Sequence, residues 1–294
     1  MNYQQFTTEL KEKVASLLDE DISLQLHTTL KNNGKERTGI AIEDRQVNIH
    51  PTIYLEEYYL HFQNGISIEE IAENIVQLYQ EVRFQQSFDL ESIKDFSAIH
   101  PKITYKLINV QKNEVLLQTL PHILYLDLAI VFYVLFDVED HAASTIPITY
   151  RLMEVWGKDV TEIYQIALDN SPLLLPAAFK SMRIVIKELL GEPCVEEIRS
   201  TDIMFVLTNP LRNFGAACML YNGILEQIYG TLGENYYILP SSIHEVIIVP
   251  ESQACSKEEL LDMVRFVNET QVDLEDILSD SVYYYDFASK SLCP

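Results

Sequence analysis

The sequence predicts an α+β fold, in which mixed strands and helix–Gly–helix hairpins form two or three αβ sections packed as one compact unit. Segments with helical spacing and segments with strand-like alternation follow one another without the regular alternation of a parallel-sheet protein. Residues 64–71 and 156–163 share a pattern in which a glycine separates two helices, and strand-like residues precede each pair. No stretch is rich enough in Pro, Gly and Ser to be a flexible linker.

The best candidate for a boundary between sections is residues 171–178, a stretch that contains two prolines. It divides the chain into an N-terminal section, residues 1–170, and a C-terminal section, residues 171–294. A chain of 294 residues is long enough for one large domain or two ordinary ones, so a single continuous unit remains open.

Local signals place the elements of the N-terminal part. Lys31-Asn-Asn-Gly34 is typical of a hairpin turn with positive φ angles, and Ser67-Ile-Glu-Glu70 is a capping box that starts a helix. The predicted elements are a helix over 3–19, strands over 22–30 and 38–47, a helix from Pro51 to Gly65, and a helix from 68 to about 82.

The C-terminal part is predicted to contain more strands. A run of small residues, Gly215 to Cys218, should let one apolar helix approach its neighbour closely. The predicted elements are strands over 124–134, 203–207, 236–239, 244–249 and 282–285, and helices over 146–156, from Asp159, over 181–190 and 215–230, and from Ser256.

Charge and cysteine usage limit the partners and the compartment. The chain has 21 basic and 44 acidic residues, a net charge of −23, which disfavours nucleic acid and anionic membranes. Four widely spaced cysteines indicate free thiols. The N-terminus lacks signal-peptide features, and the longest apolar run, near 123–136, is interrupted by Asp127. We therefore expect a soluble cytoplasmic protein.

Cofactor motifs are lacking in the sequence. Neither a G-x-G-x-x-G nor a Walker A pattern occurs, so no nucleotide or other cofactor is predicted. For metals, Asp137 and His141 belong to a five-residue segment with three carboxylates and a histidine, which could supply ligands. A polar strand-to-helix loop before a Ser144 helix cap explains the same residues, and we favour the loop.

Ser242, His244 and Glu245 are the candidate catalytic residues. Nucleophilic catalysis needs a hydroxyl, a base and a group that orients the base. Residues 242 and 244 would share one face of a strand, however, while Glu245 would point to the opposite face. A turn followed by a buried strand, with His244 hydrogen-bonded at its start, is the favoured interpretation.

Tyrosine is abundant, with 17 in the chain. Tyr283, Tyr284 and Tyr285 are the candidates for an interaction surface, because tyrosine is enriched at protein interfaces. Half-buried strands and helices account equally well for most of these side chains.

Four segments carry a resemblance to a known family. They are Ile-His-Pro-Thr-Ile-Tyr-Leu-Glu-Glu-Tyr-Tyr (49–59), Leu-Tyr-Leu-Asp-Leu-Ala-Ile-Val-Phe (124–132), Tyr-Tyr-Ile-Leu-Pro-Ser-Ser-Ile-His-Glu-Val-Ile (236–247) and Leu-Ser-Asp-Ser-Val-Tyr-Tyr-Tyr-Asp (278–286). Together they resemble a bacterial domain-of-unknown-function family that is common in gut Firmicutes and is encoded near mobile elements. The resemblance spans almost the whole chain and implies a single-unit bacterial protein, without an activity or site residues.

These observations favour a non-catalytic cytoplasmic binding or interaction protein, whose partner is another protein. The alternative is a hydrolase that uses His244 as general base, with Ser242 or a more distant residue as nucleophile. The least favoured hypothesis is an acidic DNA mimic, because the negative charge is spread over a large chain rich in apolar residues. The sequence leaves the oligomeric state and the strand order open.

Overall fold

A computed structural model describes residues 1–19, 21–44, 51–82, 92–139, 142–193, 197–199 and 201–294, and the side chains of 137–144 lie outside that description. The chain divides into two compact units. The first contains Met1–Lys31 and Lys35–Ile93, and the second contains Asn32–Gly34 and Lys94–Pro294. Residues 171–178, the boundary that the sequence predicts, lie inside the second unit. The mixed α+β fold is confirmed, with antiparallel sheets in both units.

The first unit is a three-stranded antiparallel sheet covered by helices. Its elements are α1 (Tyr3–Ser16), β1 (Ile22–Leu30), β2 (Glu36–Asp44), β3 (Thr52–Tyr54), α2 (Glu56–Gln63) and α3 (Ile68–Val82). The strand order is β1-β2-β3. The predicted hairpin is confirmed, with φ angles of 58° at Asn33 and 70° at Gly34. Its core joins α1, α3 and the sheet through Phe6, Leu10, Ile40, Ile42, Ile71 and Ile75.

The second unit is larger and contains two sheets. Its helices are α4 (Phe96–Ile99), α5 (Glu114–Leu117), α6 (Tyr150–Trp156), α7 (Val160–Leu174), α8 (Met182–Leu189), α9 (Ile224–Leu232) and α10 (Lys257–Thr270). Its strands are β4 (Ile103–Asn109), β5 (His122–Tyr125), β6 (Leu128–Glu139), β7 (Ala142–Pro147), β8 (Ala178–Ser181), β9 (Phe205–Thr208), β10 (Tyr236–Leu239), β11 (Val246–Pro250), β12 (Tyr283–Asp286) and β13 (Ser291–Cys293).

The two sheets of this unit share one hydrophobic core. One sheet has the order β4-β6-β5, with β7 also paired to β6, and the other has the order β13-β12-β10-β11-β9-β8. Side chains from both sheets meet in that core, among them Tyr105, Phe132, Phe205, Val246 and Ile248. The opposite face of the six-stranded sheet packs against α10, where Leu239, Val249, Leu260 and Val264 form a smaller cluster.

Both helix–Gly–helix hairpins are confirmed. Gly65 separates α2 from α3 with φ 96°, and Gly157 separates α6 from α7 with φ 63°. Glycine adopts these left-handed conformations without the steric cost that a Cβ adds. Helices also start at Asp159 and Ser256 as predicted, and each of these residues forms a capping box in which its side chain accepts from the backbone N–H of the third residue of the helix. Local sequence therefore sets these helix ends.

Four local predictions are wrong, three of them because strand pairing outweighs local preference. The segment after Pro51 forms β3, which pairs with β2, before α2 begins. The helix predicted from residue 146 begins only at Tyr150, because 142–147 form β7. Ser144 therefore lies in a hairpin strand, not at a helix cap. The helix predicted over 215–230 is broken by Gly223 (φ 76°) into a 3₁₀ helix, Gly215–Leu220, and α9.

Asp127, which lies in the turn between β5 and β6, connects two distant segments of the second unit. Its carboxylate accepts hydrogen bonds from the hydroxyls of Ser279, Ser281 and Tyr283. These three residues alternate along the chain, so their side chains share one side of the segment that enters β12. The charged acceptor satisfies a tyrosine hydroxyl that the core would otherwise leave unpaired.

Tyr283 and Tyr285 are expected to respond in opposite ways to replacement by Phe. Both are buried in β12, at 0% and 1% exposure. The Tyr283 hydroxyl bonds Asp127, whereas the Tyr285 hydroxyl has no hydrogen-bond partner among the described residues. Tyr283→Phe should lower the free energy of unfolding by about 1–2 kcal/mol, and Tyr285→Phe should leave it unchanged or raise it by up to about 1 kcal/mol. Denaturant titration of the two matched variants measures both, and equal losses would contradict this assignment.

Candidate functional site

The segment between β10 and β11 holds the sequence-predicted catalytic residues. Its backbone pairs with residues 276–279: the Ile243 N–H donates to the Asp276 carbonyl at 2.8 Å, and the Leu278 N–H donates to the Ser241 carbonyl at 3.1 Å. Two chain segments that are far apart in sequence thus form one rigid edge of the second unit. This pairing brings the Asp276 side chain to His244.

Both ring nitrogens of His244 are engaged. The Phe214 backbone N–H donates to Nδ1 at 3.3 Å, so the ring proton lies on Nε2, which faces Asp276 Oδ1 at 3.2 Å. The ring also stacks on Phe214, with centroids 5.9 Å apart, and the Lys106 ammonium lies 4.1 Å from the centroid of the Phe214 ring. A general base needs a free nitrogen directed at a substrate. In this arrangement both nitrogens of His244 contact other residues of the protein, so the ring connects the Phe214 loop to Asp276.

The predicted Ser242–His244–Glu245 group is not assembled for catalysis. The Ser242 hydroxyl oxygen accepts from the His244 backbone N–H at 3.0 Å. No bond between that hydroxyl and the imidazole occurs in the described structure. Glu245 lines cavities on the α10 side of the sheet, whereas the next residue, Val246, belongs to the main core. Ser242 lines the same groove as Glu245, so the prediction that these two side chains lie on opposite faces of one strand is wrong, because β11 begins only at Val246.

The Phe214–Gly215 turn fits tightly against the start of β11. Phe214 adopts φ 55°, a rare conformation for a non-glycine residue, and its N–H is the donor to His244. Thr208 Oγ1 donates to the His244 carbonyl at 2.8 Å. The Asn209 side-chain amide donates to the Asn213 carbonyl, also at 2.8 Å, and so stabilises the loop. The expected close approach of Gly215 is confirmed, since a Cβ there would meet Thr208 and the His244 carbonyl.

An apolar groove lies on the other face of the same edge. We call it the methionine groove. It has a volume of 650 Å³, within the usual range for binding sites. Its walls come from α8, the residue before β9, β10, β11 and α10, and include Met182, Met204, Leu239, Ile247, Met263 and Val267. Methionine side chains are flexible and polarisable, so such a surface can adapt its shape to an apolar partner.

The polar margin of the methionine groove is acidic. Glu245, Asp273 and Asp276 line it, together with Ser241 and Ser242, and no Lys or Arg is among its described lining residues. Asp276 is paired with His244. The carboxylates of Glu245 and Asp273 have no ion pair or hydrogen bond to any residue in the described ranges. The groove therefore combines an apolar floor with uncompensated negative charge.

A second cavity of 250 Å³ borders the groove at Glu245. It is lined by an ion-paired group in which Glu188 accepts from the Lys180 ammonium at 2.5 Å and from the Arg212 guanidinium at 2.8 Å. These two cations hold the pKa of the Glu188 carboxyl below its ordinary value, against the opposing effect of burial. Since Glu188, Lys180 and Arg212 are already paired with one another, this cavity has less unpaired charge to bind a ligand than the methionine groove has.

The remaining candidates do not form a site in the described structure. The Asp137 backbone belongs to β6, and its side chain and all of His141 lie outside the described residues. Tyr283 and Tyr285 are buried, which removes them from any contact surface, and Tyr284 bonds Asn235 and Glu251. Burial raises the pKa of the Cys218 thiol to about 12, so this residue is not a nucleophile at neutral pH.

Sequence reasoning missed the methionine groove. Its members lie between residues 182 and 276 and are brought together by sheet pairing and by the packing of α10. One signal was available: α10 carries Leu260, Met263, Val264, Phe266 and Val267, which is more apolar surface than one buried stripe requires. Met263 and Phe266 are in fact 39% and 64% exposed.

Fold and site together define an α+β protein whose second unit carries an apolar, acid-rimmed groove. The chain belongs to a family of unknown function, DUF5688, whose family model matches residues 3–287. Neither the curated protein sequences nor the solved structures contain a match to the chain. Within the described ranges, no helix is both long and apolar enough to cross a membrane.

Proposed function

We propose that this chain is a non-catalytic interaction protein, which binds an apolar segment of a partner protein in the methionine groove. The observation that carries the proposal is the groove itself, an open apolar cavity of 650 Å³ beside α10. The engaged ring of His244 and the raised pKa of Cys218 favour binding over catalysis at this edge. Free thiols at Cys218, Cys255 and Cys293 suit a reducing compartment such as the cytoplasm.

Exposure of apolar side chains around the groove supports a protein partner. Met263, which lines the groove, is 39% exposed, and Phe266 on α10 and Leu274, next to the groove residue Asp273, are 64% and 50% exposed. Contiguous apolar patches on a protein surface mark interaction sites, because covering them removes apolar area from water. A partner segment with its own apolar face would cover both the groove and these neighbours.

Binding of an amphipathic probe peptide tests this proposal. The probe carries Leu and Met on one helical face and neutral Gln and Ser on the other, with a fluorescent label for anisotropy. We expect a Kd of about 10–100 µM, which corresponds to a modest apolar contact without charge pairing. Met263→Gln should weaken binding at least about fivefold, because it places an amide on the groove wall.

Leu173→Gln is the matched control. Leu173, near the end of α7, is 81% exposed and does not line the groove. This variant should bind the probe like the original protein. The proposal would be overturned if neither the neutral peptide nor a counterpart with Lys in place of Gln bound, or if both variants lost binding equally.

A further inference from the structure

We infer that the segment bound in the methionine groove is an amphipathic helix with Lys or Arg side chains beside its apolar face. This inference rests on the proposed function and adds the chemistry of the partner. It follows from two independent features of the groove, the geometry of the α10 wall and the charge of the margin.

The wall formed by α10 suits a helical occupant. Met263 and Val267 on α10 and Gln271 at its C-cap line the groove at four-residue spacing, with Val264 beside them. At 1.5 Å per residue, this row extends about 12 Å, or roughly two helical turns. Rows with four-residue spacing are the ridges that interdigitate when two helices pack. Met204, which directly precedes β9, and Ile247 in β11 provide the apolar floor under such a helix.

The carboxylates at the margin of the groove favour an occupant with positive charge. Glu245 is half-buried and has no ion-pair partner in the described structure, and Asp273 is exposed and likewise unpaired. A neutral occupant that covered Glu245 would take a carboxylate further from water without compensation, which costs free energy. A Lys or Arg supplies the missing partner, while its aliphatic stem packs on the methionines.

The cations of the second cavity do not fill this role. Lys180 and Arg212 both pair with Glu188, at 2.5 and 2.8 Å, and neither makes a salt bridge with Glu245 among the described residues. Asp276 already has a partner within the protein, because the His244 Nε2 lies 3.2 Å from its Oδ1. Glu245 and Asp273 therefore supply most of the charge that would attract a Lys or Arg.

Three probe peptides of about 14 residues, with one shared apolar face and Lys, Gln or Glu at the flanking positions, test the inference. Anisotropy titrations at low salt should show the Lys peptide binding about tenfold tighter than the Gln peptide, and the Glu peptide weakest. The preference should shrink as salt rises, because exposed charges are screened.

Two double variants separate the groove carboxylates from the overall charge of −23. Glu245→Gln with Asp273→Asn should abolish the preference for Lys. Glu258→Gln with Asp262→Asn removes the same charge from the N-terminal half of α10, outside the groove lining, and should preserve it.

Each failure has a distinct meaning. Equal binding of the Lys and Gln peptides would overturn the inference and leave the proposed function standing. A Lys preference that survives in the Glu245–Asp273 variant would also overturn it, because the overall charge would then be the cause. If no peptide binds, the inference and the proposed function both fail.

Discussion

Replacing Gly215 by Ala is expected to lower the free energy of unfolding by about 3 kcal/mol or more, although it adds only one methyl group. A Cβ at this position would lie 2.5 Å from the His244 carbonyl oxygen and 2.9 Å from the Asn209 nitrogen, and would also meet the Thr208 hydroxyl. Two of these three neighbours are backbone atoms, which cannot rotate away. The variant must therefore separate the Phe214 turn from β11.

Gly230→Ala is the matched control for that experiment. Gly230 lies inside α9, and a Cβ there would meet nothing within 4 Å. Because alanine has a higher helix propensity than glycine, this variant should have a free energy of unfolding about 0.5–1 kcal/mol higher than the original protein. Thermal and denaturant unfolding of the full chain measure both. Equal stability of the two variants would show that Gly215 is not held against β11.

Asp127→Ala is expected to lower the free energy of unfolding by about 3 kcal/mol. This is the second of the two largest effects that the structure predicts. The substitution removes the acceptor of three hydroxyl donors, two of which belong to Ser279 and Tyr283, both 0% exposed. Those hydroxyl donors would then be buried without the Asp127 acceptor, although the Ser279 oxygen still accepts from the Ser281 N–H. Since burial and the Asp127 carboxylate both raise the pKa of Tyr283, the phenol remains a neutral donor at ordinary pH.

A double-mutant cycle isolates the Asp127–Tyr283 bond. In a Tyr283→Phe background, Asp127→Ala should lower the free energy of unfolding by about 1–2 kcal/mol less than in the original protein. The reason is that the Tyr283 hydroxyl, which would lose its acceptor, is already absent. The coupling is obtained from four denaturant titrations. Strictly additive costs would mean that this hydrogen bond does not stabilise the fold.

The sequence predicted those features of the fold that depend on neighbouring residues. These features are the helix starts at Asp159 and Ser256, the turn at Asn33 and Gly34, and the glycines between paired helices. Each depends on interactions between residues only a few positions apart. Predictions failed where a distant strand decides the outcome. Residues 52–54 were predicted to open a helix, yet they pair with β2 and form a strand, and α2 begins only at Glu56.

The candidate site could be predicted only in fragments, for the same reason. Local sequence identified His244 and Ser242, but strand geometry misplaced Ser242 relative to Glu245, because β11 begins only at Val246 and both residues line the groove. Asp276, the partner of His244, is 32 residues further along and arrives through backbone pairing of its own segment. The methionine groove needs the sheet order and the position of α10, which no local pattern encodes.

Methyl NMR of the six methionines tests the binding groove most directly. Met182, Met204 and Met263 line the groove, Met153 and Met219 are buried in the main core at 5% and 1% exposure, and Met1 belongs to the first unit. With methyl-labelled methionine, titration with the Lys peptide should shift the three groove signals and leave the other three in place. Absence of any shift, or shifts confined to Met1, Met153 and Met219, would contradict binding in the groove.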